Sequence, residues 1–198
     1  LYKASGEVRI NGELLNLDKL GDALEHKVAF VSEDRRGVGL LLDESIEQNI
    51  IFSAMYTNGK FLKKIGWMHL YDSAAAKAHA ENMVKTLDIR CTGIRQAAGR
   101  LSGGNQQKVC LARALTLEPD ILFVSEPTRG IDIKVKQDIY QLMNQMRKNG
   151  KSIIMISEEL MELIGMCDRI IIMKDGKISG ELERDEAMDE NSLITMMV

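Results

Sequence analysis

The chain has 198 residues, of which 45% are hydrophobic and 28% are charged, as is usual for a globular domain. Its formal net charge of −3 at pH 7 argues against a protein whose main task is to coat nucleic-acid phosphates. The longest apolar runs, such as 121–124 and 170–173, are far shorter than the roughly 20 residues that a membrane-spanning helix needs.

Two short elements are predicted at the start of the chain. Alternating polar and apolar residues surround Asn11-Gly12 within 6–15, a pattern typical of an antiparallel hairpin whose turn needs positive φ at both central residues. The apolar run 28–31 then predicts a buried strand that ends in the charged loop 32–37.

The middle of the chain is predicted to be mainly helical. Residues 44–90 keep helical spacing of apolar side chains, first around 46–51 and then over the Ala-rich stretch 71–87. Asn58-Gly59-Lys60 and 63–66 separate the two helices. A further helix is predicted to open at Ser102 and to stop before Pro119.

The rest of the chain alternates strands with helices. This order predicts right-handed crossovers and a largely parallel sheet. The predicted strands are 121–124, 152–156, 169–173 and 177–180, and the predicted helices are 135–148, 159–165 and 191–198.

The three cysteines are widely spaced and form no Cys-x-x-Cys pair, which predicts reduced thiols rather than disulfides. A metal site or a catalytic thiol is a poor alternative, because no His lies near a Cys in the sequence. Cys110 falls on the apolar face of a predicted helix, so core packing is the preferred interpretation.

The run 101–108, Leu-Ser-Gly-Gly-Asn-Gln-Gln-Lys, carries the sharpest chemical signal. Ser102 is predicted to cap a helix whose first backbone N–H groups are left bare by Gly103 and Gly104, and such a helix end binds phosphate. For Ser-Gly-Gly alone, a plain N-cap is the simpler interpretation. The full run 101–108, in its sequence context, favours a phosphate-binding site over a plain N-cap.

A second candidate site follows the predicted strand 121–124. Glu126 comes directly after this strand, at the edge where α/β proteins bind ligands. A carboxylate there can polarise a water for attack on a phosphoryl group. The alternative is an ordinary surface acid near a helix N-terminus.

Taken together, 101–107 and the run 126–132, Glu-Pro-Thr-Arg-Gly-Ile-Asp, resemble the ATPase domains of ABC transporters. The runs 33–36 and 126–132, with Gly39-Leu40, more narrowly resemble carbohydrate importers of the ribose, galactose and xylose type. Those ATPases carry two fused nucleotide-binding halves, and this chain resembles the second. The similarity extends from Ser5 through 165–176.

The resemblance implies a fold class, namely the α/β, P-loop NTPase-like fold of ABC ATPases. It comprises a mainly parallel sheet, an N-terminal antiparallel hairpin and a helical signature subdomain. The implied divisions are 1–43 for the hairpin and Q-loop-type strand, 44–118 for the helical subdomain with the signature loop, and 119–198 for the α/β core with the Walker B-type strand.

The resemblance also implies a role for each matching position. The signature loop, which contacts the γ-phosphate of ATP held by the opposite half, matches Ser102, Gly103, Gly104 and Gln106. Glu126 matches the catalytic carboxylate, and Asp132 matches the loop that crosses between halves. Glu33 stands where most relatives have a nucleotide-sensing Gln.

Three departures from the family pattern weaken the chain's own nucleotide site. Ser125 replaces the Asp that helps hold Mg²⁺, and Glu158 replaces the switch His, so an ionised acid faces the phosphate. No Gly-x-x-x-x-Gly-Lys-Ser/Thr run occurs in the 198 residues. The family places that loop immediately upstream of Leu1, so we expect a truncated half that binds ATP and Mg²⁺ weakly or not at all alone.

The implied function is the ATP-binding subunit of a sugar importer, located in the cytoplasm on the inner face of the cell membrane. Its implied partners are a second ATPase half and transmembrane permease subunits, without nucleic acid. The alternative is a non-catalytic module that docks on a membrane subunit or on another ATPase half. A DNA-repair or chromosome ATPase of the same superfamily is disfavoured because sustained heptads are lacking. The basic pairs 35–36 and 63–64 are interpreted as solvated surface.

Overall fold

The architecture is taken from a computed structural model, which describes residues 6–16, 18, 20–184 and 189–197. The strands are β1 (Arg9–Ile10), β2 (Glu13–Leu14), β3 (Val28–Val31), β4 (Leu62–Ile65), β5 (Met68–Tyr71), β6 (Ile121–Ser125), β7 (Ser152–Ile156), β8 (Arg169–Lys174) and β9 (Lys177–Glu183). The helices are α1 (Leu20–Glu25), α2 (Ile46–Asn58), α3 (Ser73–Thr86), α4 (Gly103–Thr116), α5 (Ile133–Lys148), α6 (Leu160–Met166) and α7 (Glu190–Met197).

A parallel sheet of three strands, in the order β3-β6-β7, forms the centre of the α/β part. Its strands alternate, so that Val31, Leu122 and Val124 are buried on one face. The same core cluster includes Leu111 from α4 and Ile139 from α5. The sheet and its covering helices therefore fix the positions of the loops that follow β3 and β6.

The N-terminal hairpin and most later elements are confirmed. β1 pairs antiparallel with β2, and Asn11 and Gly12 both have positive φ, as the turn between them requires. The helix that opens after Ser102 runs over α4 as predicted. The final helix is confirmed as α7, although its predicted last residue, Val198, lies outside the described residues.

The prediction of a mainly helical segment over 44–90 is wrong in one place, the break between its two helices. β4 and β5 form an antiparallel hairpin between α2 and α3, so Tyr71 belongs to a strand and not to a helix. α3 begins only at Ser73 because the Asp72 side chain accepts a hydrogen bond from the Ala75 N–H at 3.2 Å. Gly66, with φ 63°, lies in the turn of this hairpin, within the run 63–66 that was predicted to separate the two helices.

The last strands also differ from the simple alternating pattern. β8 pairs antiparallel with β9 as a two-stranded sheet, and the parallel sheet of the described residues ends at β7. β8 and β9 are joined by the tight Asp175-Gly176 turn, in which both residues have positive φ. So short a connection gives an antiparallel pair, because parallel strands need a longer crossover. Ile170, Ile172 and Leu182 pack with Leu193 of α7 in a separate small cluster.

The cysteines are free thiols, as predicted. Cys110 is buried in the main cluster, and its burial raises the pKa of the thiol to about 11. Across the described ranges, no group of three or more His, Cys, Asp or Glu side chains is placed to hold a metal ion. No helix in that same part of the chain is long and apolar enough to cross a membrane.

Candidate functional site

The start of α4 presents an exposed serine and two glycines. Ser102 occupies the N-cap position with extended backbone, but the predicted side-chain cap is wrong, because its hydroxyl makes no capping hydrogen bond. The Ser102 Oγ instead accepts a hydrogen bond from the Asn105 side chain at 2.9 Å. The first N–H groups of α4 are consequently not satisfied by Ser102, which leaves this helix end suited to an anion.

The two glycines of this loop have different surroundings. A side chain at Gly104 would approach the Val135 side chain to 3.1 Å, so Gly104 lets α4 pack closely against the start of α5. A side chain at Gly103 would come no closer than 3.8 Å to the Arg35 Nη1 and 3.9 Å to the Gly130 carbonyl. Gly104 thus has a packing role in addition to any contact with a ligand.

Gln106, another predicted signature residue, faces the interior. Its side chain is only 2% exposed and donates a hydrogen bond to the Ala98 carbonyl at 3.3 Å. Its backbone N–H donates to the Ser102 carbonyl at 2.9 Å within the helix. Gln106 therefore packs under the loop in the protein interior, whereas Ser102 and Gly103 form the outer surface of the loop.

The interpretation of the pair 35–36 as solvated surface is wrong for Arg35. Its guanidinium donates to the Gly103 carbonyl at 3.2 Å and to the Arg129 carbonyl at 3.3 Å. It is half-buried, while Arg36 beside it is exposed. Arg35 therefore ties the signature loop to the loop that follows β6.

The predicted Q-loop residue Glu33 lies next to the same junction. Its exposed carboxylate forms an ion pair of 3.5 Å with Arg129, whose carbonyl accepts the hydrogen bond from Arg35. Because both charged groups of this pair are more than half exposed, the ion pair itself adds little stability. The ion pair shows that loops 32–37 and 126–132 lie side by side, where the Arg35 hydrogen bond to the Arg129 carbonyl joins them.

Ser125, Glu126 and Glu158 meet at the carboxyl ends of β6 and β7. The Glu126 side chain is buried and accepts a hydrogen bond from the Glu158 backbone N–H at 2.7 Å. Its backbone has a φ of 48°, which is uncommon for a residue with a side chain, and its N–H donates to the Ile156 carbonyl. The Glu158 carboxylate is exposed, so this residue orients Glu126 through its backbone.

Asp132 is exposed at the N-cap of α5. Its carboxylate accepts a hydrogen bond from the Val135 N–H at 3.0 Å, which satisfies one free donor of the helix start. The residue predicted to lie on the crossing loop therefore also stabilises α5. Gly130, two residues earlier, adopts positive φ and lies beside the Arg35 guanidinium.

A buried polar network that was not predicted from the sequence holds the loop after β3. Arg113 of α4 donates to the Gly39 carbonyl at 2.7 Å, to the Asn49 carbonyl at 2.8 Å and to the Asn49 side-chain oxygen at 2.6 Å. Burial lowers the pKa of Arg113. A signal was available, since Arg113 lies three residues after Cys110 on the apolar face of α4.

The residues present fit the phosphates of ATP better than they fit Mg²⁺. Ser102 and the uncapped start of α4 offer hydroxyl and N–H groups to an anion. At the end of β6 the side chains are a neutral Ser125 and a single carboxylate, Glu126, already engaged by an N–H group. Mg²⁺ prefers several oxygen ligands, and these two side chains do not supply a full set.

These features together define a class of protein. The parallel sheet carries an acid at the end of its central strand, β6, and the glycine-lined start of α4 is tied to the loop that follows this strand. The ABC transporter family model matches residues 1–129. The chain belongs to the ABC transporter family, which confirms the resemblance predicted from the motifs.

Individual relatives are consistent with this assignment. The chain is 40% identical over 189 residues to the ribose import ATP-binding protein RbsA of Clostridium perfringens (strain SM101 / Type A), covering 96% of this chain and 36% of that protein. A putative ribose/galactose/methyl galactoside import ATP-binding protein of Halalkalibacterium halodurans is 40% identical over 186 residues, with 94% and 34% covered. The chain thus spans about a third of the length of these relatives.

Solved structures support the fold class. A dimeric structure of the bacterial ABC transporter cassette MJ0796 matches with a TM-score of 0.72 and 25% identity, covering 91% of this chain and 74% of that one. A post-hydrolysis dimer of the same cassette, bound to ADP and Pi, matches with a TM-score of 0.73 and 24% identity over the same shares. The predicted P-loop NTPase-like fold is therefore confirmed.

Proposed function

We propose that this chain is the second nucleotide-binding half of an ABC-type sugar importer. In this role the loop 102–106 contacts the γ-phosphate of ATP bound on the opposite half. The observation that carries the proposal is the start of α4, where Ser102 is exposed and its hydroxyl leaves the first helical N–H groups uncapped. The names of the relatives, which import ribose or related sugars, support the substrate class.

The chain's own catalytic position is proposed to be weak. Glu126 is the group that would polarise the attacking water, and the Glu158 N–H holds its carboxylate in one orientation. Mg²⁺, where bound, would neutralise phosphate charge, but Ser125 adds no negative charge to hold it. The exposed Glu158 carboxylate would repel a γ-phosphate in the place of the usual switch His.

The junction around Arg35 is proposed to couple the loops of the site. Arg35 joins Gly103 to Arg129, and Arg129 pairs with Glu33, so a shift of one loop is transmitted to the other two. On this proposal Glu33 would sense nucleotide and Asp132 would cross to the opposite half. The divisions 1–43, 44–118 and 119–198 would then meet at this junction.

The partners of the proposed subunit are a second ATPase half and transmembrane permease subunits, which would keep it on the inner face of the cell membrane. The net charge of −3 supports a function without nucleic acid. A second candidate function is a non-catalytic docking module. Ser125 and Glu158 favour it, because neither side chain serves hydrolysis.

ATP hydrolysis by the isolated chain tests the proposal that this half donates its signature loop and has a weak catalytic position of its own. We expect the 198-residue protein with Mg-ATP to release phosphate at the rate of a protein-free control, because it supplies no phosphate-cradling loop. Replacing Glu126 with Gln should then change nothing in the isolated chain. Turnover above the control that disappears in the Glu126→Gln variant would contradict the proposal.

A further inference from the structure

The hairpin β4-β5 carries both apolar and basic side chains on each of its two faces. Cross-strand partners share a face, and Ile65 pairs with Met68 while Lys64 pairs with His69. The next pair on the face of Ile65, towards the base of the hairpin, is Lys63 with Leu70. Next to the turn, Ile65 and Met68 therefore lie on one face, and Lys64 and His69 lie on the other.

Most of this hairpin is open to solvent. The two strands form a sheet of their own, and every residue from Lys63 to Tyr71 is exposed. Trp67, at the two-residue turn, is 88% exposed, and Ile65, Met68 and Leu70 are between 44% and 55% exposed. A contiguous apolar patch of this kind marks an interaction surface.

The base of the hairpin is firmly held, in contrast to its tip. The Asp72 N–H donates to the Phe61 carbonyl at 2.8 Å, and the Lys63 ammonium pairs with the Asp72 carboxylate at 2.9 Å. The Tyr71 hydroxyl donates to the buried Glu47 carboxylate at 3.1 Å. The tip therefore projects from a fixed base rather than from a loose loop.

The charge around the tip is opposite in sign to that of the whole chain. Residues 59–71 contain three Lys and one His but no Asp or Glu, although the chain carries a net charge of −3. Lys60 and Lys63 form ion pairs with Glu118 and Asp72, so the positive charge offered at the tip is mainly that of Lys64, which is exposed beside the apolar side chains. This local positive charge is complementary to a surface of anionic head groups.

We propose that the hairpin 62–71 docks on an anionic lipid surface. Trp67 would enter the interfacial layer with Ile65 and Met68, while Lys64 would remain at the level of the head groups. A projecting turn with Trp67 at its end is convex and has no hollow that would take up another protein's side chains. A bilayer surface therefore suits this tip better than a protein partner does.

The fluorescence of Trp67 tests this directly, since the chain contains a single Trp. The full chain is titrated with phosphatidylcholine vesicles, with and without about 30% phosphatidylglycerol. We expect a blue shift of Trp67 emission with the anionic vesicles only, weakened at about 0.5 M salt by screening. Co-sedimentation should show the same preference and should be lost for Trp67→Ala, a change at an exposed turn.

Matched variants separate the hairpin from general electrostatics. Lys64→Glu should weaken vesicle binding about tenfold or more, whereas Lys148→Glu, an equal change at an exposed site on α5, should leave it within about twofold. Three results would overturn the proposal: no blue shift with anionic vesicles, equal loss in both Lys variants, or a shift seen only with a solubilised membrane protein. The measurement needs no nucleotide, so its failure would leave the proposed function untouched.

Discussion

Replacing Ser102 with Arg in the full-length transporter ATPase is expected to abolish sugar import. The serine is exposed at the start of α4, and its hydroxyl and the adjacent N–H groups form the proposed contact with the γ-phosphate. A long side chain would fill the space beside Gly103 that the phosphate needs. Loss of such preorganised donors lowers rates about 100-fold or more, so uptake of labelled sugar by cells should fall to background.

The matched control for this variant is Ser73→Arg. Ser73 is also an exposed serine in the first turn of a helix, α3, but it lies outside the proposed site. Both variants should fold, as circular dichroism would show, and only Ser102→Arg should lose uptake. Normal transport by the Ser102 variant would rule out the donor role of the loop.

Truncating Arg113 is expected to cause the largest loss of stability. The Arg113→Ala variant removes three hydrogen bonds from a charged donor and leaves the Gly39 and Asn49 carbonyls without it in a partly buried region. Each such loss costs on the order of 1–3 kcal/mol, and we expect a total of about 3 kcal/mol because the bonds are not independent. Urea denaturation followed by circular dichroism measures this difference.

Arg36→Ala provides the comparison for Arg113. It removes the same side chain type from the loop that Arg113 anchors, but Arg36 is exposed. Its free energy of unfolding should stay within about 0.5 kcal/mol of the original protein. Equal effects of the two changes would show that the Arg113 network does not hold the loop.

Individual helices, strands and turns were predicted correctly where one short sequence pattern determines the local structure. Asn11-Gly12 predicted its hairpin, and the uninterrupted apolar run 121–124 predicted a buried parallel strand. The hairpin β4-β5 was missed because both its faces are exposed, so hydrophobic alternation, which burial imposes on most strands, was weak there. Local turn chemistry at Gly66 was the remaining clue.

The site was predictable in its composition but not in its connections. Ser102 and Glu126 stand out as motifs, whereas Arg35 acts through backbone carbonyls 68 and 94 residues away in the sequence. Any residue type exposes a carbonyl, so no pattern marks the partner of such a bond. The inward turn of Gln106 likewise depends on the position of Ala98, which tertiary packing sets.

Calorimetric titration of Mg-ATP tests the central claim most directly. ATP is titrated into this chain, into a P-loop-containing ATPase half with its catalytic carboxylate replaced, and into their mixture. The proposed donor role predicts no binding to this chain alone and at least about tenfold tighter binding in the mixture than in the partner half, with the gain lost in Ser102→Arg. Equal affinity for ATP with and without this chain would contradict it.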